Sequence, residues 1–187
     1  MTSPPKLVPS GSQTVGPFFT IGLEYLVEQS AAAAGSNLVE ILGRVFDGNL
    51  NPVPDAMLEF WGADPSGNYG GQTPGPNGCV AGFRRVGTDA NGRFLVTIQK
   101  PGEARVDGEP AQAPHLLVLV FARGLLRNLV TRVYFPNVTE NASDPVLARV
   151  PEARRATLIA HQDSDQPTRL RWDVILQGPD ETVFFAW

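Results

Sequence analysis

Two histidines, three tyrosines and one cysteine carry most of the chemistry this chain could perform. His115 stands in the apolar run APHLLVLVFARGLLRNLVTRVYF, residues 113–135, which also holds Arg132 and Tyr134. The run reads as two strands joined by a short basic turn, and a mononuclear metal site would be expected here if the chain had one. Such sites take three or four side chains from His, Cys, Asp, Glu or Tyr. Alternate strand residues face the same side, so an H-x-H pair would offer two imidazoles to one ion. Position 117 is Leu, and the pair is missing. His115 therefore reads as a structural histidine before it reads as a ligand. His161 follows a predicted helix, close to Asp163, and reads as exposed. Cys79 reads as a bystander thiol. No G-x-S-x-G elbow is present, although residue counts leave Ser-His-Asp chemistry open. The glycines between 67 and 82 have neither the spacing nor the context of a phosphate loop.

The elements that must position these residues read as mostly β. Residues 38–47 (LVEILGRVFD) and 56–63 (AMLEFWGA) are β-branched and aromatic with a rough period of two. A glycine-rich loop covers 64–82. Strands 83–88 and 93–99 flank the turn Asp89-Ala-Asn-Gly92 and predict a hairpin. Residues 103–112 form a polar loop before the two strands of 113–135. Pro151–Ala160 predicts a helix with proline in its first turn. The last strands are expected at 168–176 and 181–187. About eight strands and one or two short helices, the second at 22–34, predict an all-β fold, a two-sheet β-sandwich.

The 187 residues suit one domain over 1–187, with residues 1–22 as an extended arm. Prolines and glycines break that arm too often for a helix, yet Val15, Phe18, Phe19 and Ile21 are too apolar to be left in water. It is expected to lie across its own domain or a partner. A formal charge of −4 gives no footprint for nucleic acid. A single cysteine rules out an internal disulfide framework and suits a reducing compartment. No apolar run reaches the ~20 residues that span a bilayer, and no membrane partner is expected. The N-terminal residues have no apolar core of a signal peptide, so a cytoplasmic location is expected.

Several stretches, in order, carry a family resemblance: SQTVGPFFTIGL (12–23), GRVFDGNLNPVPDAMLEFWGADPSGNY (43–69), TDANGRF (88–94), QKPG (99–102), APHLLVLVFARGL (113–125), TRVYF (131–135), RRATLIA (154–160) and LQGPDETVFF (176–185). From Ser12 onward the chain resembles the aromatic-ring intradiol dioxygenases, non-haem Fe(III) enzymes, and within them the α-type subunits of hetero-oligomeric members. Catalytic chains of that family hold iron with two tyrosines and two histidines. On that pattern Tyr69 and His115 take one tyrosine and one histidine position. Ala104 stands where the second tyrosine belongs and Leu117 where the second histidine belongs, while Gln112 replaces an arginine. Two protein ligands are too few to hold ferric iron against hydrolysis and competing chelators.

The resemblance thus implies a chain that keeps the fold and has lost the metal and, alone, the activity. A homologous β chain would hold the Fe(III), and the active site would lie at the interface of the two. Thr14, Gly16 and Pro17 of the arm match a segment expected to line the substrate pocket. Arg132 matches an α-chain arginine expected near it, where catalytic chains carry Gln. A strand-edge arginine paired with a carboxylate is the equally weighted alternative. The reaction implied is cleavage of protocatechuate, a catechol carboxylate, by O2 between the two hydroxyl-bearing carbons, giving 3-carboxy-cis,cis-muconate. Two other readings stay open: an iron enzyme with an unusual ligand set using Asp or Glu, and a non-enzymatic β-sandwich binding module.

Overall fold

The computed structural model describes residues 11–14, 16, 37–69, 82–105, 108–164, 166 and 168–186. Among these residues nine strands form two sheets: β1 Leu38–Phe46, β2 Met57–Gly62, β3 Phe83–Gly87, β4 Arg93–Gln99, β5 His115–Phe121, β6 Leu129–Tyr134, β7 His161–Gln162, β8 Arg169–Arg171 and β9 Val174–Ile175. One sheet runs β4-β1-β8-β7, with β9 also on β1, and the other runs β3-β2-β5-β6. Their facing sides alternate in the way the strand pattern predicts. Ile41 and Val45 of β1, Phe94, Val96 and Ile98 of β4, Leu58 and Phe60 of β2, Leu116, Val118 and Val120 of β5, and Val133 of β6 make the buried core. Phe60 and Phe94 meet across the sheets with ring centroids 6.0 Å apart. The expected two-sheet sandwich is what forms.

One glycine of β1 is required by close approach. A Cβ on Gly43 would lie 1.8 Å from the Trp172 carbonyl oxygen, so only glycine lets β1 pass there. The Trp172 N–H donates to Leu42 O at 2.9 Å, which keeps the two backbones together.

Three expectations need correcting. The turn at 89–92 does not close a hairpin. β3 pairs with β2 and β4 pairs with β1, so this turn carries the chain from one sheet to the other. Asp89 Oδ1 accepts the N–H groups of Asn91 and Arg93, which explains the turn-like sequence without hairpin pairing. Residues 181–186 are extended but form no strand. Single bonds tack them down, from Thr182 N to Ile175 O and from Phe185 N to Val130 O. The helix expected at 151–160 is α-helical only at Glu152–Arg155, then tightens to a 3-10 turn at Ala156–Leu158. The tightening buries Leu158 and lets Ala160 N donate to Tyr134 O at 3.0 Å. The helix expected at 22–34, Cys79, and most of the arm lie outside the described residues. Of the arm, Ser12 Oγ accepts from Arg127 Nε at 3.1 Å, and Gly16 has φ 67°.

Candidate functional site

The site lies on the outer side of the four-stranded sheet, at the ends of β5 and β6. β5 and β6 pair antiparallel with His115 opposite Tyr134 and Leu117 opposite Arg132. Period two puts these four side chains on one face, away from the core residues Leu116 and Val133. Trp61 of β2 stands on the other side of Leu117.

Two loops close over this face. Residues 64–69 wind around Asp64, whose Oδ1 accepts the N–H groups of Ser66 and Asn68 at 2.8 and 2.9 Å. Gly67 sits at φ 86° with its Cα against Glu103 O, where a Cβ would come within 1.9 Å. Gly102 N donates to Asp64 O at 2.9 Å, so this loop is fastened to the 102–104 segment. Ala104 and Gln112 then exchange two backbone bonds of 2.9 Å, closing the loop between them. The result sets Tyr69, Ala104, Gln112 and His115 around one spot.

Tyr69 and His115 meet there. The Tyr69 hydroxyl lies 3.3 Å from His115 Nε2, and His115 Nδ1 lies 2.7 Å from the Ala113 carbonyl oxygen. A carbonyl only accepts, so Nδ1 carries the proton, and Nε2 accepts a long hydrogen bond from the phenol. Burial, with the Arg132 guanidinium as a second cause, pushes the His115 pKa down to about 4. Burial also raises Tyr69, against the pull of Arg132, so the phenol is held in its neutral form. His115 is therefore a buried, neutral, hydrogen-bonded histidine, as its setting in the sequence implied.

Arg132 is half-buried beside this pair. Its Nη1 donates to Gln112 Oε1 at 2.8 Å and lies 3.4 Å from the Tyr134 hydroxyl. Among the described residues no hydrogen bond is made by its Nε or Nη2. Its hydrogen-bond partners among the described residues are thus an amide and a phenol, and the carboxylate of the alternative reading is not among them. Tyr134 donates in turn to Asp144 Oδ1 at 3.0 Å. Asp144 is fully buried, and it also accepts from the backbone N–H groups of Ala113, Val146 and Leu147. Burial raises the Tyr134 pKa, with the adjacent Asp144 carboxylate acting in the same direction. Asp144 and Tyr134 were not among the expected site residues. The sequence signal was Asp144-Pro145 ahead of the turn Leu147–Arg149, where an Asp side chain satisfies free N–H groups.

The donor set does not fit a ferric ion. Among the described residues only a phenol and an imidazole converge, they are hydrogen-bonded to each other, and the Arg132 guanidinium stands beside them. Leu117 and buried Ala104 occupy the other two positions. A second cation would face the Arg132 charge with too few anionic ligands to offset it. The arrangement suits an anion held against Arg132 better than a metal.

The comparisons with known proteins agree with this fold. Residues 24–178 match the family described as dioxygenase. The alpha chain of protocatechuate 3,4-dioxygenase from Burkholderia cepacia is 45% identical over 195 aligned positions, covering 93% of this chain and 95% of that one. This chain belongs to the intradiol dioxygenases. Within that family it is of the alpha-chain type. The beta chain of the Burkholderia cepacia enzyme is more distant, 31% identical over 92% of this chain and 77% of its own length. Among solved structures, 3-chlorocatechol 1,2-dioxygenase from Rhodococcus opacus superposes with a TM-score of 0.63 at 19% identity, over 91% of this chain and 69% of that one. At that identity the superposition speaks for the shared sandwich alone. The family is one of non-haem iron enzymes, in which alpha and beta chains are related to each other.

Proposed function

We propose that this chain is the iron-free alpha subunit of a protocatechuate 3,4-dioxygenase, working in the cytoplasm with an iron-bearing beta subunit. One observation carries the reading: an alpha-type chain whose Tyr69 and His115 are bonded to each other, with Leu117 and Ala104 where further ligands would stand. The Fe(III) belongs to the beta chain, and the reaction joins both atoms of O2 to protocatechuate as the ring opens to 3-carboxy-cis,cis-muconate. The part of this chain is to complete and shape the pocket.

Thr14, Gly16 and Pro17 line that pocket from the arm. Support comes from the left-handed backbone at Gly16, which lets a ligand or partner approach closely. Pro17 lies outside the described residues. Arg132 supplies positive charge toward an anionic substrate, through the guanidinium donors that Gln112 and Tyr134 leave unused.

Protocatechuate-dependent O2 uptake tests the reading, with the chain produced alone, the beta chain alone, and the two together. Activity confined to, or strongly raised in, the pair supports it. Equal activity of the beta chain alone, with no co-purification, would return the chain to the class of binding modules.

A further inference from the structure

We propose that the outward face of the five-stranded sheet is a second binding site, for a small carboxylate with an apolar body. This face belongs to β1, β4 and β8, on the other sheet from Tyr69 and His115. A cavity of about 700 Å3 opens over it, with Leu42, Leu95, Arg44, Arg93, Arg171 and Asp173 in its lining. Small-molecule sites fall at roughly 300–1,000 Å3 and combine apolar walls with a few placed polar groups.

The strand register decides what the cavity presents. Leu42 pairs with Leu95, and Arg44 pairs with Arg93 two residues along the same outward face. Leu95 is 51% exposed, unusual for a leucine at a strand centre. Directly opposed like charges destabilise a sheet, so the Arg44–Arg93 pair is a cost to the free chain. Asp89, also in the lining, offsets part of it: its carboxyl is held below the usual range chiefly by the Arg93 backbone N–H, and the charges of Arg93 and Arg44 act in the same direction. Arg169 is held by Glu40 at 2.7 Å, and Arg171 by Asp163 at 3.0 Å. Asp173 Oδ1 accepts from the Arg44 backbone N–H, and Asp89 Oδ1 accepts from those of Asn91 and Arg93. Among the described residues neither the Arg44 nor the Arg93 guanidinium has a hydrogen bond or an ion pair.

Two guanidiniums that make no hydrogen bond among the described residues, offset only by the nearby Asp89 charge and set beside two leucines, form a specific demand. A carboxylate between Arg44 and Arg93 relieves their repulsion and can accept forked hydrogen bonds from both. A ring or short hydrocarbon attached to it covers Leu42 and Leu95 and takes that apolar surface out of water. An inorganic anion answers only the first half of this, and an uncharged aromatic only the second. Neither iron nor the partner's pocket takes part in this site, which therefore stands apart from the alpha-subunit reading.

Isothermal titration with benzoate tests it, on the full chain in the complex it purifies in, against the R44Q/R93Q double variant. The expected result is one saturable benzoate equivalent per chain, beyond any that protocatechuate displaces from the substrate pocket, that weakens about tenfold or disappears in the variant, with acetate binding far less well. A tenfold loss corresponds to about 1.4 kcal/mol, one charge-assisted contact. The variant should be folded and thermally no less stable than the parent without benzoate, and benzoate should raise the melting temperature of the parent more than that of the variant. The proposal is overturned if parent and variant bind the same number of benzoate equivalents with the same affinity. It is also overturned if acetate binds as well as benzoate, or if a neighbouring chain covers this face and keeps benzoate out.

Discussion

Lowering the pH from 7 to 4 should cost this chain stability through His115, before general acid unfolding sets in. The folded pKa of about 4 lies below the ordinary value of 6.5, because burial and Arg132 disfavour the charged ring. Above pH 6.5 the ring is neutral in both folded and unfolded chains and contributes no pH dependence. Between 6.5 and 4 the unfolded chain takes up a proton that the folded chain refuses, so stability falls as pH falls. The shift of about 2.5 pH units corresponds to roughly 3 kcal/mol, lost at up to about 1.4 kcal/mol per pH unit. That is a large share of the ~5–15 kcal/mol that holds a domain folded. Urea unfolding at pH 7.5, 6, 5 and 4.5 measures the slope, and His115→Asn isolates it from carboxylate titration, because the variant lacks this component. Proton NMR reads the group directly. The chain has only two histidines, so His161→Gln assigns the resonances. A His115 titration midpoint at or above 6.5, or the same stability slope in His115→Asn, would refute the reasoning.

Other outcomes follow from the same geometry. Asp144→Ala strips the acceptor from three backbone N–H groups and from Tyr134, and should lower stability by about 3–5 kcal/mol in chemical unfolding. Gly43→Ala sets a methyl inside van der Waals contact of the Trp172 carbonyl and should prevent accumulation of soluble protein, while Gly62→Ala, which meets first the movable Leu116 side-chain end, should be milder in the same expression assay. Arg132→Ala should raise the protocatechuate KM of the assembled enzyme about tenfold, one lost charge-assisted contact, without dissociating the complex by size-exclusion chromatography. Unchanged steady-state constants would remove Arg132 from the pocket.

The fold was legible in the sequence where alternation was strong. β5 and β6 announce themselves through HLLVLVF and LVTRVY, and the core side of each strand follows from period two. What the sequence hides is pairing. The turn Asp89-Ala-Asn-Gly92 has hairpin chemistry, yet the strands on either side join different sheets, β3 on β2 and β4 on β1. Residues 181–186 have strand composition but meet their neighbours only at isolated points, so no ladder propagates. At the candidate site the side chains at 104 and 117, Ala and Leu, neither of which offers a metal donor, were readable by position. The bond between Tyr69 and His115 was not, since it depends on the 64–69 loop being fastened to Glu103 and Ala104. Asp144 escaped notice because its four donors come from three separate stretches of chain.

The central claim is that this chain supplies fold and pocket wall while another chain holds the metal. Iron content per chain, measured after purification alone and after co-production with the beta subunit, tests it most directly. The account predicts no stoichiometric iron and no visible tyrosinate–iron colour for the chain alone, and about one iron per alpha–beta pair in the complex, in keeping with the donor set at Tyr69 and His115. A coloured preparation of this chain alone, loaded with one iron per molecule, would contradict it.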